Sequence, residues 1–303
     1  MAKLLKIVGR LIGISLEWVL IVLIAFFFAI RTSQFQTYLG DLATNYLSKE
    51  LNAELRIGKI DIQFLDKLLL KDVFVRDQNG DTLASLNRIE VIVESLDLQA
   101  NKVTLSNIQL LEGRVGISRD SIKGDYNYWF ITDYFDSGKT TKKKKEPIGL
   151  VVKSLDISKV NISYDDNRKG YSDYGMDYDH LFFHNVELHA KQFKVGDGSF
   201  SFYLAHLSTK ERCGFDLKRL RSNCYINQNK GIFLSNVIIH TPKTVVYSSR
   251  FNMKMSNLNN VHSFEDSVIF NSVIDSSIVN LHDVSMFATA LEGMDQTIVL
   301  SGE

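Results

Sequence analysis

The chain has 303 residues, and its 35 Lys and Arg residues balance 35 Asp and Glu residues, so the formal net charge at pH 7 is zero. This balance shows no sign of binding to nucleic acid or to acidic partners. Apolar residues make up 45% of the chain, which is enough to bury a core in one large or two ordinary domains. The sequence contains only 2 prolines, which suits long sheets because proline removes a ladder hydrogen bond.

The N-terminal stretch predicts a transmembrane anchor over residues 1–31. Lys3, Lys6 and Arg10 precede an apolar run at residues 11–30, of which fourteen are Leu, Ile, Val or Phe. Twenty helical residues span about 30 Å, the hydrocarbon thickness of a bilayer. A cleaved signal peptide is the alternative, but the run is long for one and no small-x-small site follows it. The preceding basic residues place the N-terminus in the cytoplasm and the rest of the chain on the far side.

Residues 32–53 predict an amphipathic capping helix. Phe35, Leu39, Leu42 and Tyr46 fall on one helical stripe, and Ser33 is the expected N-cap. Two compatible interpretations remain for this helix. It packs against the first strands, or it forms a lid over one end of a sheet at the membrane surface.

Residues 54–303 predict a sheet built from one repeated pattern, in which two polar residues separate two apolar-x-apolar units. The pattern occurs at residues 55–62, 68–75, 103–110, 155–162, 181–188, 232–239 and 279–286. Its inner apolar residues are three apart, so a regular strand would place the two halves on opposite faces. A β-bulge at the polar pair returns both halves to one face and increases the twist. We therefore expect a mainly β fold with an elongated, curved antiparallel sheet.

Polar stretches mark the turns and loops of this predicted sheet. Asn79-Gly80 is a strong hairpin signal between two apolar runs. Residues 136–147 contain four consecutive lysines and predict a solvated linker, with contact to anionic headgroups or nucleic acid as the alternative. Residues 164–180 form a second polar stretch, whose Asp173, Asp177 and Asp179 we expect on the surface. The terminal residues 296–303 resemble a strand, and we expect this sequence to be the front part of a longer protein.

No pattern in the sequence predicts an enzyme, a metal or a cofactor. His180, His184 and His189 are close in sequence, but strand alternation directs them to different sides, so a shared zinc site is not expected. Cys213 and Cys224 are the only cysteines, and the sequence leaves open whether they form a disulfide. Phosphate-binding loops and nucleophile motifs are not found in the sequence.

The apolar strand faces leave two architectures open. Two sheets that cover each other would form a sandwich, whereas a single curved sheet would form an open groove whose lining a ligand covers. An acyl chain is the natural ligand of a long apolar groove beside a membrane anchor, since each buried CH₂ contributes about 0.8 kcal/mol. Strand periodicity alone does not distinguish the sandwich from the groove.

The order of these features resembles the start of the AsmA-like/TamB family. The resemblance is carried by the N-terminal anchor, the short helix and the opening block "LRIGKIDIQFLDKLLLKDVFVRDQNGDTLASLNRIEVIVES". The stretches "DHLFFHNVELHAKQF", "LSTKERCGFDLKRL" and "GIFLSNVIIHTPKT" are similar to the Bacteroidota versions of TamB. The resemblance covers most of residues 1–260 and depends on degenerate strand patterns.

The resemblance implies a protein anchored in the inner membrane by one helix, whose residues 54–303 form the first part of a periplasmic β-groove. It implies a bridge-like conduit that moves phospholipid towards the outer membrane and supports envelope assembly. The partners implied are phospholipid acyl chains, the inner membrane and a BamA-type outer-membrane barrel, reached through a C-terminal domain outside this sequence. An alternative is a scaffold that pairs nascent β-barrel strands with a sheet edge. A third interpretation is an exported enzyme with an undetected active site.

We predict that the repeated patterns line the groove with aliphatic side chains. The predicted lining residues are Ile57, Ile60, Ile62, Leu105, Ile108, Leu110, Ile157, Val160, Ile162, Leu234, Val237 and Ile239.

Overall fold

The fold consists of short helices beside one large sheet. The computed structural model describes residues 17–22, 24–29, 31–63, 66–97, 99–100, 102–136, 149–196, 198–255 and 269–302. The helices are α1 (Glu17–Ala29), α2 (Ser33–Leu51), α3 (Trp129–Asp136) and α4 (Leu281–Ser285), and a 3₁₀ turn covers Thr289–Leu291. Most of the predicted linker, residues 137–147, lies outside the described residues.

Thirteen strands of the described chain form the sheet. They are β1 (Glu54–Gln63), β2 (Lys67–Arg76), β3 (Thr82–Asp97), β4 (Lys102–Arg119), β5 (Gly149–Val152), β6 (Ser154–Asp166), β7 (His180–Gly196), β8 (Ser199–Glu211), β9 (Asp216–Asn227), β10 (Gly231–His240), β11 (Val245–Lys254), β12 (Ile269–Asn280) and β13 (Thr297–Gly302). Their order follows the sequence, except that β4 pairs with both β5 and β6. The prediction of a mainly β fold with one long sheet is confirmed.

The sheet is not antiparallel throughout, so this part of the prediction was wrong. β4 runs parallel to β5 and β6, while the other paired strands are antiparallel. A parallel pair needs a long crossover connection. Residues 120–148, which include α3, provide this connection between β4 and β5. The hairpin predicted at Asn79-Gly80 joins β2 to β3, and Gly80 adopts the positive φ of 94°.

The polar pairs of the repeated pattern bend the strands as predicted. Among the described residues, six non-glycine residues inside strands have a positive φ of 47° to 62°. Four of them are the second polar residue of a pattern: Asp72, Lys159, Asn185 and Asn236, and the other two are Glu112 and Gln192. In the pattern of β4 the bulge lies at Ser106, where the register with β3 shifts. The seventh pattern is an exception, because residues 281–285 form α4 instead of a strand. The first pattern also differs, since Gly58 and Lys59 have no positive φ and the register of β1 with β2 does not shift.

Four of these bends are followed by a buried residue on the apolar face: Val73, Val160, Val186 and Val237. Register places Ile57, Val73, Leu86, Gly113, Val160 and Val186 in one line across six strands. We call these six residues the crease row. Its five side chains are buried, with no exposed surface on Val160, and Gly113 is half-buried. Because bulges increase strand bending, the crease row follows the line of the bends, and other apolar residues lie on both sides of it.

Helix α2 covers the first edge of the sheet. The Ser48 hydroxyl donates to the carbonyl of Leu55 and accepts from its amide, each at 3.0 Å, and the Thr44 hydroxyl accepts from the amide of Ile57 at 2.9 Å. Gly40 allows close approach, since a Cβ there would lie 2.9 Å from the carbonyl oxygen of Ile57. The helix therefore satisfies backbone groups that an edge strand would leave open.

The predicted stripe of α2 is not its packing face. Ala43, Leu47 and Leu51 contact the core of β1 and β2, whereas Leu42 and Tyr46 are exposed. The N-cap is Thr32, whose hydroxyl accepts from the amide of Phe35, and not Ser33. The apolar stripe predicted the wrong packing face. The true packing face contains Gly40 and hydroxyl residues, which bind the strand edge and do not contribute to an apolar stripe.

The predicted anchor is only partly described, because residues 1–16, 23 and 30 lie outside the described residues. The described part of α1 exposes large apolar side chains, among them Trp18, Leu20 and Phe28. No single helix among the described residues has the length and apolarity to cross a bilayer, and α1 and α2 meet that test only as a pair bent by 74°.

Buried polar residues hold the strand ends at the turn between β6 and β7. Asp166 is fully buried and accepts from the Arg168 guanidinium at 2.5 and 2.7 Å, while Arg119 lies 3.8 Å away. Nearby Asp177 is also buried and pairs with His180, so the prediction of a surface position for Asp177 was wrong. The side-chain hydrogen bond from Arg168 holds the pKa of Asp166 well below its usual range.

We expect Asp166→Asn to lower the free energy of unfolding by about 3 kcal/mol, because it leaves two guanidinium groups without their buried carboxylate. The folded-state pKa of Asp166 is depressed, so its contribution is complete above about pH 4 and is lost as the pH falls further. Urea unfolding of the full chain between pH 7 and pH 3 measures this. Asp165→Asn is the control. An equal loss in both variants would contradict the role of the ion pair.

Candidate functional site: an open apolar face

One aliphatic line runs along almost the entire sheet. Register pairs connect ten residues on ten strands into what we call the aliphatic row: Ile60, Leu70, Ile89, Leu110, Ile157, Leu188, Leu207, Leu220, Ile239 and Val246. Residues in register share a face of the sheet. Nine strand spacings of about 4.8 Å give the row a length of about 43 Å.

Helix α2 packs at one end of this row, against the core cluster that Ile60, Leu70 and Ile89 also contact, and no described element covers the rest of the row. All ten side chains are neither buried nor fully exposed, which is the state of a sheet face without a second layer. Extensive packing between described elements is confined to neighbouring strands, α2 on β1, α3 on α2, and α4 beside β12 and the 3₁₀ turn. The described part of the chain therefore contains no second sheet that would complete a sandwich.

The twelve predicted lining residues share the face of the aliphatic row. Four of them, Ile60, Leu110, Ile157 and Ile239, belong to that row. Four others, Ile57, Leu105, Val160 and Val237, are buried at the bends and make poor contact surfaces. The remaining four are half-buried beside the row: Ile62, Ile108, Ile162 and Leu234. The structure thus places all twelve on one face but leaves only eight accessible.

An apolar recess of about 510 Å³ opens on this face where β5 and β6 meet the hairpin of β7 and β8. It is lined by Ile108, Leu150, Val151, Val152, Leu155, Phe193, Val195 and Phe200. Leu150 and Val195 are strongly exposed, the latter by 84%. Phe193, Phe200 and Phe202 contact one another with ring centroids 5.4–5.7 Å apart. Sequence analysis missed these aromatic residues because they lie outside the repeated pattern.

The opposite face of the sheet is polar. Register aligns Glu90, Gln109, Asp156 and His189 there, one position from the aliphatic row. His189 Nδ1 lies 2.5 Å from a carboxylate oxygen of Asp156. His180 instead contacts Asp177, so the histidines do not converge, and no group of three metal-ligating side chains occurs within the described ranges. We call this side the outer face and the opposite side the inner face.

Both cysteines are free thiols in the structure. Burial, and then a hydrogen bond with Glu211, raises the pKa of Cys213 to about 11, and burial also raises the pKa of Cys224. A thiol with a pKa near 11 is about one part in a thousand thiolate at pH 8. These positions are therefore unsuited to nucleophilic chemistry.

We expect the two thiols of the native chain to react with a disulfide reagent at pH 8 at least tenfold more slowly than those of the denatured chain. The elevated pKa values suppress the reactive thiolate. The measurement is the absorbance time course in buffer and in denaturant, without reductant. Recovery of fewer than two thiols in denaturant would contradict the free state of the cysteines.

In the part of the chain that the structure describes, these features define a mainly β protein with one long sheet and an open apolar inner face. No known family model matches the chain, and no curated protein is significantly similar to it.

Proposed function

We propose that this chain is a lipid-binding conduit of the cell envelope, anchored in the inner membrane, whose inner face carries phospholipid acyl chains. The observation that supports this function is the aliphatic row, which is about 43 Å long and which no described element covers beyond the end where α2 packs. A row of this length is longer than a single ligand pocket requires. It is consistent with a path along which a chain moves from one strand to the next.

The physical basis of binding is the removal of apolar surface from water on both sides. Each CH₂ that leaves water contributes about 0.8 kcal/mol. The aliphatic row and the recess provide Leu, Ile, Val and Phe surfaces without fixed polar partners, so a chain can slide without breaking specific hydrogen bonds. The polar headgroup remains in water at the open side of the groove.

The membrane end of the conduit is supported by α1 and α2. α1 exposes apolar residues along its described length, and α2 connects it directly to β1. The exposed Leu42 and Tyr46 on α2 suit the interface between bilayer and water, where tyrosine is enriched. In this arrangement the first strand of the sheet begins next to the bilayer, and lipid enters the groove there.

Mass spectrometry of lipid that co-purifies with the full chain tests this function. We expect glycerophospholipid from the wild-type protein and at least threefold less from Ile108→Glu, which places a charge in the recess. Val160 is unsuitable for this test because its side chain is fully buried. Wild-type protein without bound lipid would overturn the proposal. Crosslinks of peptide to the edge strand β13 would instead favour the β-barrel scaffold.

A further inference from the structure

The neutral net charge of the chain hides a strong local imbalance. No Asp or Glu occurs between Leu217 and Lys254, although this stretch contains seven Lys and Arg residues. By contrast, residues 54–112 contain ten carboxylates and seven cations. The composition of the whole chain therefore conceals a basic segment that covers β9, β10 and β11.

Five cations form a patch on the outer face, which we call the basic patch: Lys191, Lys194, Arg221, Arg250 and Lys254. These cations lie on the side of the sheet away from the aliphatic row. Lys191 aligns with Tyr203 and Arg250 aligns with Ser235, and both partners also belong to the outer face. All five are exposed. None forms an ion pair with another described residue.

Aromatic and amide side chains lie between these cations. The guanidinium of Arg221 and the ammonium of Lys191 lie 5.6 and 5.5 Å from the centre of the Tyr203 ring. A recess of about 480 Å³ extends beside Tyr203, with Tyr225 and Phe233 in its wall. Lys194 and Arg250 also line this recess. The surface thus combines positive charge with semi-exposed rings.

We propose that the basic patch is a docking surface for an acidic polypeptide segment of a partner protein. Tyr and Arg are enriched at protein interfaces, where they supply much of the binding energy. The patch extends over the five strands from β7 to β11, which places its two ends about 19 Å apart. A surface of this width is typical of one side of a protein interface and is wider than a site for a single phosphate.

Two other anionic partners fit less well. Single-stranded nucleic acid binds through bases that stack on free aromatic faces, whereas Lys191 and Arg221 already contact the Tyr203 ring. An anionic bilayer is disfavoured by position, because β7 lies five strands from β1 and α2. This separation is about 24 Å, more than twice the screening length of about 8–10 Å at physiological salt.

Fluorescence anisotropy with a labelled 20-residue polyglutamate peptide tests the proposal, with the full chain in neutral detergent. The patch variant combines Lys194→Gln, Arg221→Gln and Arg250→Gln. The matched control combines Lys59→Gln, Lys71→Gln and Arg88→Gln, which register aligns on the outer face, one row from Asp61 and Glu90. We expect the patch variant to bind the peptide at least tenfold more weakly than the wild-type chain. The affinity of the control variant should change less than twofold.

Equal weakening by both variants would overturn the proposal, because binding would then follow net charge alone. Tighter binding of polyuridylate or of phosphatidylglycerol vesicles than of the peptide would overturn it in favour of those partners. If the triple variant does not fold, Arg250→Gln alone is expected to weaken peptide binding about threefold. This result is independent of lipid binding, so failure of one proposal leaves the other standing.

Discussion

Gly113→Ala is expected to lower the free energy of unfolding by at least about 3 kcal/mol, since it combines steric overlap with backbone strain. Gly113 is the only glycine of the crease row and adopts a φ of 149°. A Cβ at this position would lie 2.1 Å from the carbonyl oxygen of Ser85 and 2.8 Å from the Cα of Leu86. The two backbones must separate to admit it, and β3 would lose its pairing with β4.

Gly170→Ala is the matched control for this substitution. No atom of another described residue lies within 4 Å of a Cβ placed at Gly170, and its backbone does not adopt a positive φ. We expect a change below about 0.5 kcal/mol there. Chemical unfolding of both variants, followed by circular dichroism, compares them. Similar stability of the two variants would show that the close approach of β3 and β4 is not needed.

The second large effect is expected on lipid binding. Ile239→Asp should reduce the lipid that co-purifies with the chain at least tenfold, because it places a carboxylate in the aliphatic row. An acyl chain that passes a charge must either leave the surface or remove water from the charge, at a cost of more than about 2 kcal/mol. The half-buried position of Ile239 lets the carboxylate reach water when no lipid is bound, so the fold should persist.

Ile238→Asp provides a control with the same residue, strand and substitution. Ile238 aligns with Arg221 and Tyr247 on the outer face, so its carboxylate lies next to a cation. We expect this variant to retain wild-type lipid. Quantitative mass spectrometry gives the ratio, and thermal melting checks that both variants fold. Loss of lipid from both variants would argue against binding on the inner face.

The repeated sequence pattern allowed the bends in the sheet to be predicted. The step of three between apolar residues is a local signal, and a bulge is the local solution that keeps both halves on one face. Asp72, Lys159, Asn185 and Asn236 adopt left-handed backbone at the predicted positions. The same pattern failed at residues 279–286, where Asn280 caps α4 instead. The same sequence pattern can therefore bend a strand or contain the start of a helix.

Other features depend on contacts that the sequence pattern does not encode. The packing face of α2 was predicted incorrectly because hydroxyl groups of Thr44 and Ser48 bind the edge of β1. The parallel pairing of β4 and β6 depends on the path of a long crossover connection. The sequence pattern predicted which residues share the apolar face. It did not predict that Val160 and Val237 are buried, because their burial results from the bends in the strands.

The charge asymmetry shows the limit of whole-chain composition. A net charge of zero gave no sign of a charged surface, yet strands place every second residue on the same side. Arg221 and Arg250 are distant in sequence and reach the same face only through the register of β9, β10 and β11. Charge patterns of this kind become visible once strand order and alternation are combined.

Site-specific photo-crosslinking tests the central claim most directly. A benzophenone amino acid is placed at Leu110 or Leu207 on the inner face, and at Gln109 or Ser208 on the outer face of the same strands. We predict lipid adducts from the first two positions in intact cells, at least tenfold above the other two. Equal adducts on both faces, or none on the inner face, would contradict a lipid path along the aliphatic row.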